Sequence, residues 1–322
     1  MPLQTPILFC VFNRPELTGR VFERIRAQRP RQLMVVQDGP RPGRADDAAR
    51  VAAVRQIVSA VDWPCDVQWN TAEQNLGCRF RMSSGISWAF ERAERLIILE
   101  DDCLPCEDFF WYCETMLDRF QDDARVLMIS GDNFLPADLR TSDCYFSRYA
   151  HIWGWASWRR AWAGYHNAMR HWPTFRDGRD FGEICPDAAE RAYWTQLLDA
   201  QSRGEIDSWD FPWMLTGWLQ RAWTVIPPAN LVSNLGFGDG ATHTTDDRSP
   251  WANRPAEALD CQRVLHESRA DSITRRHTAD QWTWSNVFRP TDSDSTSDPR
   301  RGWPRILQRL SRIRPWFERK SA

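Results

Sequence analysis

The stretch "LIILEDDCLP", from Leu96 to Pro105, joins four apolar residues to three consecutive carboxylates. The apolar run predicts a strand that is buried inside a sheet. The carboxylates Glu100, Asp101 and Asp102 follow it directly, and they repel one another unless something neutralises them. The end of this strand is therefore the first candidate for a functional site.

The first half of the chain alternates strand patterns with helix patterns. The predicted strands are Pro6–Phe12, Gln32–Gln37, Asp66–Asn70, Arg95–Leu99 and Val126–Ser130. The predicted helices are Glu16–Ala27, Asp46–Ala60, Met82–Glu94 and Glu107–Phe120. The alternating residues of the third strand indicate a half-buried or edge strand. Strands that alternate with helices predict an α/β fold, with a mostly parallel sheet between helices on both faces.

In such a sheet, ligands bind beyond the carboxyl ends of the strands. Asp38 follows the second predicted strand, and the acidic triplet Glu100–Asp102 follows the fourth. Both could therefore face the same crevice.

The second half of the chain is less regular. A helix is predicted within Ala188–Gln201 and a short strand at Thr224–Ile226, before a glycine-rich segment, Asn234–Thr244. Residues 286–300 are polar and contain proline, as is typical of a linker. The tail, residues 301–322, carries many arginines among apolar residues spaced by three and four. It could lie on an anionic membrane surface, or it could be a docking helix or a frayed basic tail.

The composition excludes several classes of protein. The chain has 322 residues, of which 42% are hydrophobic and 26% are charged, as expected for a soluble globular protein. Its formal net charge of −2 and the lack of a known motif argue against nucleic-acid binding. No apolar stretch is long enough to predict a membrane span, and no secretory signal opens the sequence. We therefore expect a cytoplasmic protein.

Arginine and cysteine usage adds two expectations. Lys320 is the only lysine among 41 basic residues, so any phosphate contact would be made by arginine. The nine cysteines are scattered and odd in number, which indicates reduced thiols. Cys103 and Cys106 form a C-x-x-C pair. A zinc site would need a second pair, and the neighbouring carboxylates disfavour the thiolates that zinc or redox chemistry requires.

A hard divalent cation would remove the repulsion within the acidic triplet. Mn²⁺ and Mg²⁺ take carboxylate oxygens as ligands, and at a strand end Glu100 and Asp102 can point to one side while Asp101 points away. A cation that shares its coordination with phosphate oxygens and water is typical of sites for nucleotide substrates. The alternative is an exposed acidic turn that precedes the helix beginning near Glu107.

Five segments together resemble the nucleotide-diphospho-sugar transferases of the GT-A fold. They are "RPELTGRVFERI", "VVQDGPR", "NLGCR", "AFERAERLIILEDDCLPCEDFFWYCETML" and "ISGDN". The likeness is strongest to the N-acetylglucosaminyltransferase I type and its bacterial relatives. These also carry an acidic triplet after a hydrophobic strand, then a proline and an Asp-Phe-Phe, here Pro105 and Asp108–Phe110. The resemblance implies a Rossmann-like three-layer sandwich and a metal-dependent, inverting transfer of a sugar from a nucleotide-diphosphate donor to a hydroxyl.

The resemblance also implies the donor site. The residues it assigns to donor binding are Phe12, Asn13, Arg14, Asp38, Arg79, Glu100, Asp101 and His243. Asp102, the last member of the triplet, would bind Mn²⁺ or Mg²⁺ directly, together with Glu100. Arg79 would face the diphosphate or sugar, unless it is an ordinary surface arginine. His243 lies in the glycine-rich segment, which resembles the flexible loop that closes over the donor in this family.

The catalytic base has two candidates. The family carries a tryptophan followed by an acidic base, and Trp209-Asp210 matches this pair. However, Phe211-Pro212 replaces a second acidic residue and shifts the spacing by one. Asp207 is therefore a second candidate, and Asp210 could instead be a helix N-cap ahead of the proline.

The segment "HIWGWASW" resembles the family's acceptor side. Its tryptophans Trp153, Trp155 and Trp158 could stack on an acceptor sugar, or they could pack between helix and sheet. The acceptor would be a glycan or a lipid-linked sugar in cell-envelope polysaccharide assembly, with the tail as a peripheral contact to the inner membrane face.

The resemblance divides the chain into a glycosyltransferase domain, residues 1–285, followed by the linker and the tail. Residues 1–135 would bind the nucleotide sugar, and residues 136–285 would bind the acceptor. One rival function is a non-catalytic carbohydrate-binding or scaffold protein that keeps the fold. A sugar nucleotidyltransferase is the other, but it would require a glycine-rich basic loop after the first strand, and "NRPELTG" is not one.

Overall fold

The computed structural model describes residues 2–237, 249–259 and 274–289. The strands are β1 Ile7–Val11, β2 Gln32–Gln37, β3 Asp66–Thr71, β4 Arg95–Glu100, β5 Cys103–Pro105, β6 Val126–Ser130, β7 Tyr145–Ser147, β8 Trp155–Trp158, β9 Trp223–Ile226 and β10 Val232–Asn234. The helices are α1 Pro15–Gln28, α2 Asp47–Ser59, α3 Cys78–Phe90, α4 Glu107–Arg119, α5 Arg159–Trp162, α6 Trp172–Arg176, α7 Arg179–Ile184, α8 Ala188–Ser202, α9 Asp210–Gln220 and α10 His277–Thr283. A π-helical turn, Trp284–Phe288, follows α10.

Eight strands form one sheet in the order β3-β2-β1-β4-β8-β6-β9-β7. The first four in that order are parallel, and β6 and β9 run in the same direction as they do. Only β8 and β7 are antiparallel to their neighbours within this sheet. Strands β5 and β10 form a separate antiparallel pair. The predicted α/β fold with a mostly parallel sheet is therefore confirmed.

Helices cover both faces of the sheet because the strand side chains alternate between two apolar layers. Ile7 and Phe9 of β1 face a layer formed with α1, α2 and α4. Leu8 and Cys10 face the opposite layer, formed with α3, α5 and α9. Because both faces are covered, the central strands are apolar at consecutive positions, which is the pattern the sequence displays.

A third apolar cluster adds a helical layer outside α9. It joins α6, α7 and α8 to α9 and the π-helical turn through buried aromatic side chains such as Trp172, Trp194, Trp218 and Trp284. The strands β7, β8 and β9 of the second half belong to the same sheet as the strands of the first half. Residues 1–135 and 136–285 are therefore joined by a common sheet.

Local patterns predicted some elements more accurately than others. The bounds of β2 and β6 match the prediction, and β3 is the edge strand that its alternation indicated. Helix α3 begins at Cys78, four residues before the predicted Met82, because its first turn is capped by a residue distant in the sequence (described below). The short strands β5, β7, β8 and β10 were not predicted.

Among the described residues, no helix combines the length and the apolar character needed to cross a membrane. The predicted tail and most of the predicted linker lie outside the described residues. The first residues assigned to the linker, Asn286–Phe288, belong instead to the π-helical turn.

Candidate active site

The carboxyl ends of four strands meet at one edge of the sheet. Strand β1 lies between β2 and β4 and is parallel to both, and β6 has the same direction. The polar residues that follow these strands are Asn13 and Arg14 after β1, Asp38 after β2, Asp101 and Asp102 after β4, and Asp132 after β6. The fold therefore gathers the predicted donor-binding segments along this edge.

Arg14 joins two members of the acidic triplet. Its Nη2 pairs with Asp101, and its Nη1 donates a 2.8 Å hydrogen bond to Asp102. Asp101 is 2% exposed and also accepts a 3.2 Å hydrogen bond from the backbone N–H of Phe12. Burial raises the pKa of Asp101, and Arg14 opposes that rise. The arginine thus fixes the turn after β4 against the end of β1.

Glu100 lies in an excess of negative charge. Burial raises its pKa well above the usual range, Asp102 adds to the rise, and Asp101 and Asp210 act in the same direction while Arg14 opposes them. A cation would relieve this repulsion, and carboxylate oxygens are ligands suited to Mn²⁺ or Mg²⁺. Within the described part of the chain, no group of three or more His, Cys, Asp or Glu residues is arranged to hold a metal alone. The residues present fit a cation that shares its coordination with a bound ligand.

Gly236 is the first glycine of the glycine-rich segment, and it lies beside Asp102. A Cβ atom at residue 236 would lie 1.9 Å from Oδ2 of Asp102, so no other residue fits without moving that carboxylate. The backbone N–H of Leu235 also donates a 2.8 Å hydrogen bond to the carbonyl oxygen of Asp102. His243, further along this segment, lies outside the described residues.

The C-x-x-C pair beside the triplet consists of protonated thiols. Burial raises the pKa of Cys103 and of Cys106. The thiol of Cys103 donates to Asp102 over 3.5 Å, and neither Cys103 nor Cys106 forms a disulfide within the described residues. A raised pKa disfavours the thiolate form that zinc or redox chemistry requires.

Asp38 holds the loop that precedes α3. Its carboxylate accepts 2.9 Å hydrogen bonds from the backbone N–H groups of Gly39 and Leu76 and from the side-chain amide of Asn75. Burial raises its pKa, and the backbone hydrogen bonds counteract the rise. Its side chain thus supports the loop beside the predicted nucleotide site.

The other residues predicted to hold the base and ribose are also engaged within the fold. The amide of Asn13 donates a 2.7 Å hydrogen bond to Asp47, which Arg41 pairs with as well. The guanidinium of Arg41 lies 5.3 Å from the centre of the Phe12 ring. These contacts fix the backbone of the segment after β1.

Arg79 is directed toward the second half of the chain. Its Nε donates a 2.7 Å hydrogen bond to the side chain of Asn167, and its Nη1 donates a 3.3 Å hydrogen bond to the carbonyl oxygen of Gln201. It also donates to the carbonyl oxygen of Asn167. The guanidinium therefore links α3 to the last turn of α8 and to the loop between α5 and α6.

The two candidate bases have different environments. Asp207 accepts hydrogen bonds of 3.2 and 3.0 Å from the backbone N–H groups of Cys78 and Arg79, which open α3. Asp210 is the first residue of α9 and accepts from the backbone N–H of Phe211 and from the hydroxyl of Ser208. Asp207 is thus the N-terminal cap of a distant helix, whereas the charge of Asp210 reaches the triplet and raises the pKa of Glu100.

The three tryptophans of "HIWGWASW" lie in different surroundings. Trp155 and Trp158 belong to β8 and are 1% and 4% exposed. Trp155 stacks on Trp209 with ring centres 5.6 Å apart, and Trp158 packs beneath the guanidinium of Arg160. Both are core residues, whereas Trp153 borders a cavity.

That cavity has a volume of about 110 Å³ and also contains Asp210. Sequence reasoning missed three of its polar residues: Asp132, His151 and Tyr193. The signal for Asp132 was available, because it follows β6 as Asp38 follows β2. His151 was quoted only as a neighbour of the tryptophans, and Tyr193 lies in a helix whose pattern gave no indication of a site.

Comparisons with known proteins give only distant likenesses. No family model matches the sequence, and no curated protein matches it either. Among solved structures, the chain resembles the mannosyltransferase PcManGT from Pyrobaculum calidifontis, described in complex with GDP-Man and Mn²⁺. The likeness has 16% identity, covers 67% of this chain and 74% of that chain, and has a TM-score of 0.37.

A second solved structure is a UDP-glucose pyrophosphorylase complexed with UDP-glucose. It is 10% identical, with 45% of this chain and 64% of that chain covered and a TM-score of 0.25. Both TM-scores are too low for either likeness to support an activity. By its own fold and site, the chain is an α/β protein with an acidic cluster at the carboxyl edge of a mostly parallel sheet.

Proposed function

We propose that this protein is a metal-dependent glycosyltransferase, which moves a sugar from a nucleotide-diphosphate donor to a hydroxyl of a glycan or lipid-linked acceptor. The observation that carries the proposal is the proximity of two acidic groups at the carboxyl edge. One is the triplet, whose negative charge Arg14 compensates only in part, and the other is Asp210, whose charge contributes to the raised pKa of Glu100. A glycosyltransferase needs both, because the cation and the base act on opposite sides of the reacting carbon.

Glu100 and Asp102 are the proposed metal ligands. When bound, Mn²⁺ or Mg²⁺ would neutralise the charge that develops on the leaving nucleoside diphosphate. Arg14 would keep Asp102 in position through its 2.8 Å hydrogen bond and would add positive charge beside the diphosphate. The end of β1 and Asp38 would contact the base and ribose. Arg79 and His243 remain proposals for the diphosphate and sugar.

Asp210 is the proposed general base. Its carboxylate would take the proton of the acceptor hydroxyl, whose oxygen would then form a bond to the anomeric carbon. The bond from that carbon to the diphosphate oxygen would break in the same step, and the electron pair would leave with the nucleoside diphosphate. A single displacement of this kind inverts the anomeric centre. The hydroxyl of Ser208, which donates to Asp210, would orient the base.

The remaining proposals concern the acceptor and the location. Trp153 is the tryptophan that we retain for contact with the acceptor sugar, because it borders the cavity that contains Asp210. A cytoplasmic protein whose residues 301–322 contact the inner membrane face would suit a lipid-linked acceptor. Finding no binding of the full-length protein to vesicles that contain anionic lipid would contradict the membrane contact.

The test is the thermal stabilisation of the protein by a panel of nucleoside diphosphates, with Mn²⁺ and with EDTA. We expect one nucleotide to raise the melting temperature only with Mn²⁺, because the diphosphate and the carboxylates would share the cation. Asp102→Ala should abolish the shift. Asp177→Ala is the matched control, since Asp177 is an exposed aspartate paired with the neighbouring Arg176. If no nucleotide stabilises the wild-type protein, the triplet is a structural turn, and the non-catalytic alternative is favoured.

A further inference from the structure

The cavity that contains Asp210 is lined by aromatic rings and by buried polar side chains. Phe134 packs edge to face against Trp153, with ring centres 5.1 Å apart, and its ring centre lies 4.9 Å from that of His151. Asp132 and Tyr193 complete the polar part of the wall. We call this cavity the aromatic pocket.

Several buried polar atoms of the aromatic pocket have no hydrogen-bond partner within the described residues. They are Oδ1 of Asp132, both ring nitrogens of His151 and the hydroxyl of Tyr193. Asp132 is 1% exposed and His151 is 3% exposed. Folded proteins pair nearly all such atoms, because an unpaired buried polar atom destabilises the fold. Three side chains that leave polar atoms unpaired around one cavity indicate that a ligand completes their hydrogen bonds.

The second carboxyl oxygen of Asp132, Oδ2, holds this side chain in a fixed orientation. Its Oδ2 accepts a 2.9 Å hydrogen bond from the backbone N–H of Trp153, which fixes the orientation of the group. The aromatic pocket is therefore built from positioned side chains, and the unpaired Oδ1 is the acceptor or donor that remains for a bound molecule.

The chemistry of the walls restricts the ligand. Aromatic rings suit the apolar faces of a sugar ring, and the polar atoms suit its hydroxyls. Burial lowers the pKa of His151 to about 3, so the imidazole is neutral, and burial raises the pKa of Asp132 well above its usual range. Both groups are therefore uncharged, and they suit a neutral ligand better than one whose charge would be buried among them. A volume of about 110 Å³ accommodates part of one sugar ring or a few water molecules.

We infer that the aromatic pocket binds a neutral sugar unit, whose hydroxyls hydrogen-bond to Asp132, His151 and Tyr193 beside Asp210. The inference rests on the proposed function in one respect, since it places a reacting sugar next to the proposed base. The sugar could belong to the acceptor or to the donor, because both would make the same contacts with the pocket. A uronic acid is disfavoured, because its charge would be buried among uncharged groups.

The first measurement compares two tyrosine variants. Tyr193→Phe removes a hydroxyl that has no partner within the described residues, so the melting temperature should stay the same or rise. Tyr165→Phe is the matched control, because the hydroxyl of Tyr165 donates a 3.1 Å hydrogen bond to the carbonyl oxygen of Trp209. The control should lower the melting temperature. An equal loss in both variants would overturn the inference, because the hydroxyl of Tyr193 would then have a structural partner.

The second measurement is the binding of methyl glycosides. Tryptophan fluorescence monitors this binding, with the nucleoside diphosphate and Mn²⁺ present and absent. The probes are the methyl glycosides of glucose, galactose, mannose and N-acetylglucosamine, with methyl glucuronide as the anionic control. We expect at least one neutral glycoside to bind, and Tyr193→Phe and His151→Phe each to weaken it by roughly threefold to tenfold, as the loss of one hydrogen bond does. Binding of the anionic glycoside should be weaker than that of its neutral counterpart.

Failure of the inference can be told apart from failure of the proposed function. Nucleotide binding is measured in the same variants, and it tests the proposed function alone. Retained nucleotide binding with no glycoside binding, or with glycoside binding that both variants leave unchanged, would overturn the inference. Hydrolysis of the donor without acceptor identifies the source of the sugar: a rise in its KM in Tyr193→Phe indicates the donor sugar, and an unchanged KM indicates the acceptor.

Discussion

Oδ1 of Asp207 accepts a 3.0 Å hydrogen bond from the backbone N–H of Arg79, across 128 residues of sequence. The bond satisfies one of the free N–H groups at the start of α3, and Oδ2 satisfies a second one, from Cys78. Both carboxylate oxygens of Asp207 are thereby committed to the first turn of α3. We therefore expect Asp207 to support the architecture of the site, and Asp210 remains the proposed base.

We predict that Asp207→Ala lowers the free energy of unfolding by about 1 kcal/mol, as the loss of a helix cap generally does. Urea denaturation measures the change. Asp187→Ala is the matched control, because Asp187 caps α8 locally through a 2.8 Å hydrogen bond from the backbone N–H of Glu190. A comparable loss is expected there. If Asp207→Ala instead abolishes sugar transfer while the stability is unchanged, Asp207 is the base.

For Asp210 the expected result is the opposite. Asp210→Asn keeps an oxygen that can accept from the backbone N–H of Phe211, so the start of α9 should stay intact. It removes the proton acceptor, and the rate of sugar transfer should fall by about 10²–10⁴-fold. The dissociation constant of the nucleoside diphosphate with Mn²⁺ should change little. Steady-state rates and nucleotide titration measure the two effects, and a rate close to that of the wild type would exclude Asp210 as the base.

The carboxyl edge of the sheet could be predicted from the sequence because its signals are local. The apolar runs of β1, β2, β4 and β6 identify parallel strands, and a general rule places ligands beyond their ends. That rule selects Asp38 and the acidic triplet. Applied to "ISGDN", it would also have identified Asp132, which follows β6 in the same way.

The rest of the site depends on contacts that no local pattern contains. Arg14 pairs with Asp101 and Asp102, which are 87 and 88 residues away in the sequence. Asp207 caps α3 from another part of the chain. Strand β8 enters the sheet between β4 and β6 in the antiparallel sense. Its four residues are too few to display a period, so Trp155 and Trp158 could not be assigned to the core or to the acceptor from the sequence.

His151 should make the stability of the protein depend on pH. Burial lowers its pKa from 6.5 to about 3, so protonation favours the unfolded state. Its contribution to stability is therefore present above its unfolded pKa and is lost as the pH falls. At about pH 5 the loss is roughly 2 kcal/mol relative to neutral pH.

Urea denaturation of the wild type and of His151→Phe across this range measures the contribution as a difference. Asp132 and Asp210 line the same cavity, and the raised pKa of Asp132 has the opposite sign, with stability lost as the pH rises. Both carboxyl groups are common to the two proteins, so the difference isolates the histidine. Equal slopes in the two proteins would mean that His151 can take up a proton in the folded state.

Gly236 should strengthen the metal-dependent binding of the nucleotide. In Gly236→Ala, the new Cβ atom would lie 1.9 Å from Oδ2 of Asp102, and the carboxylate or the backbone must move. Because overpacking of this kind costs about 1–3 kcal/mol, the affinity for the nucleoside diphosphate with Mn²⁺ should fall by on the order of tenfold.

Gly19→Ala is the matched control: no atom lies within 4 Å of its added Cβ, and it lies inside α1. The control should raise stability by about 0.5–1 kcal/mol, since alanine loses less backbone entropy than glycine in a helix. Nucleotide titration with and without Mn²⁺ separates the two variants, and an unchanged affinity in Gly236→Ala would contradict the role of Asp102 as a metal ligand.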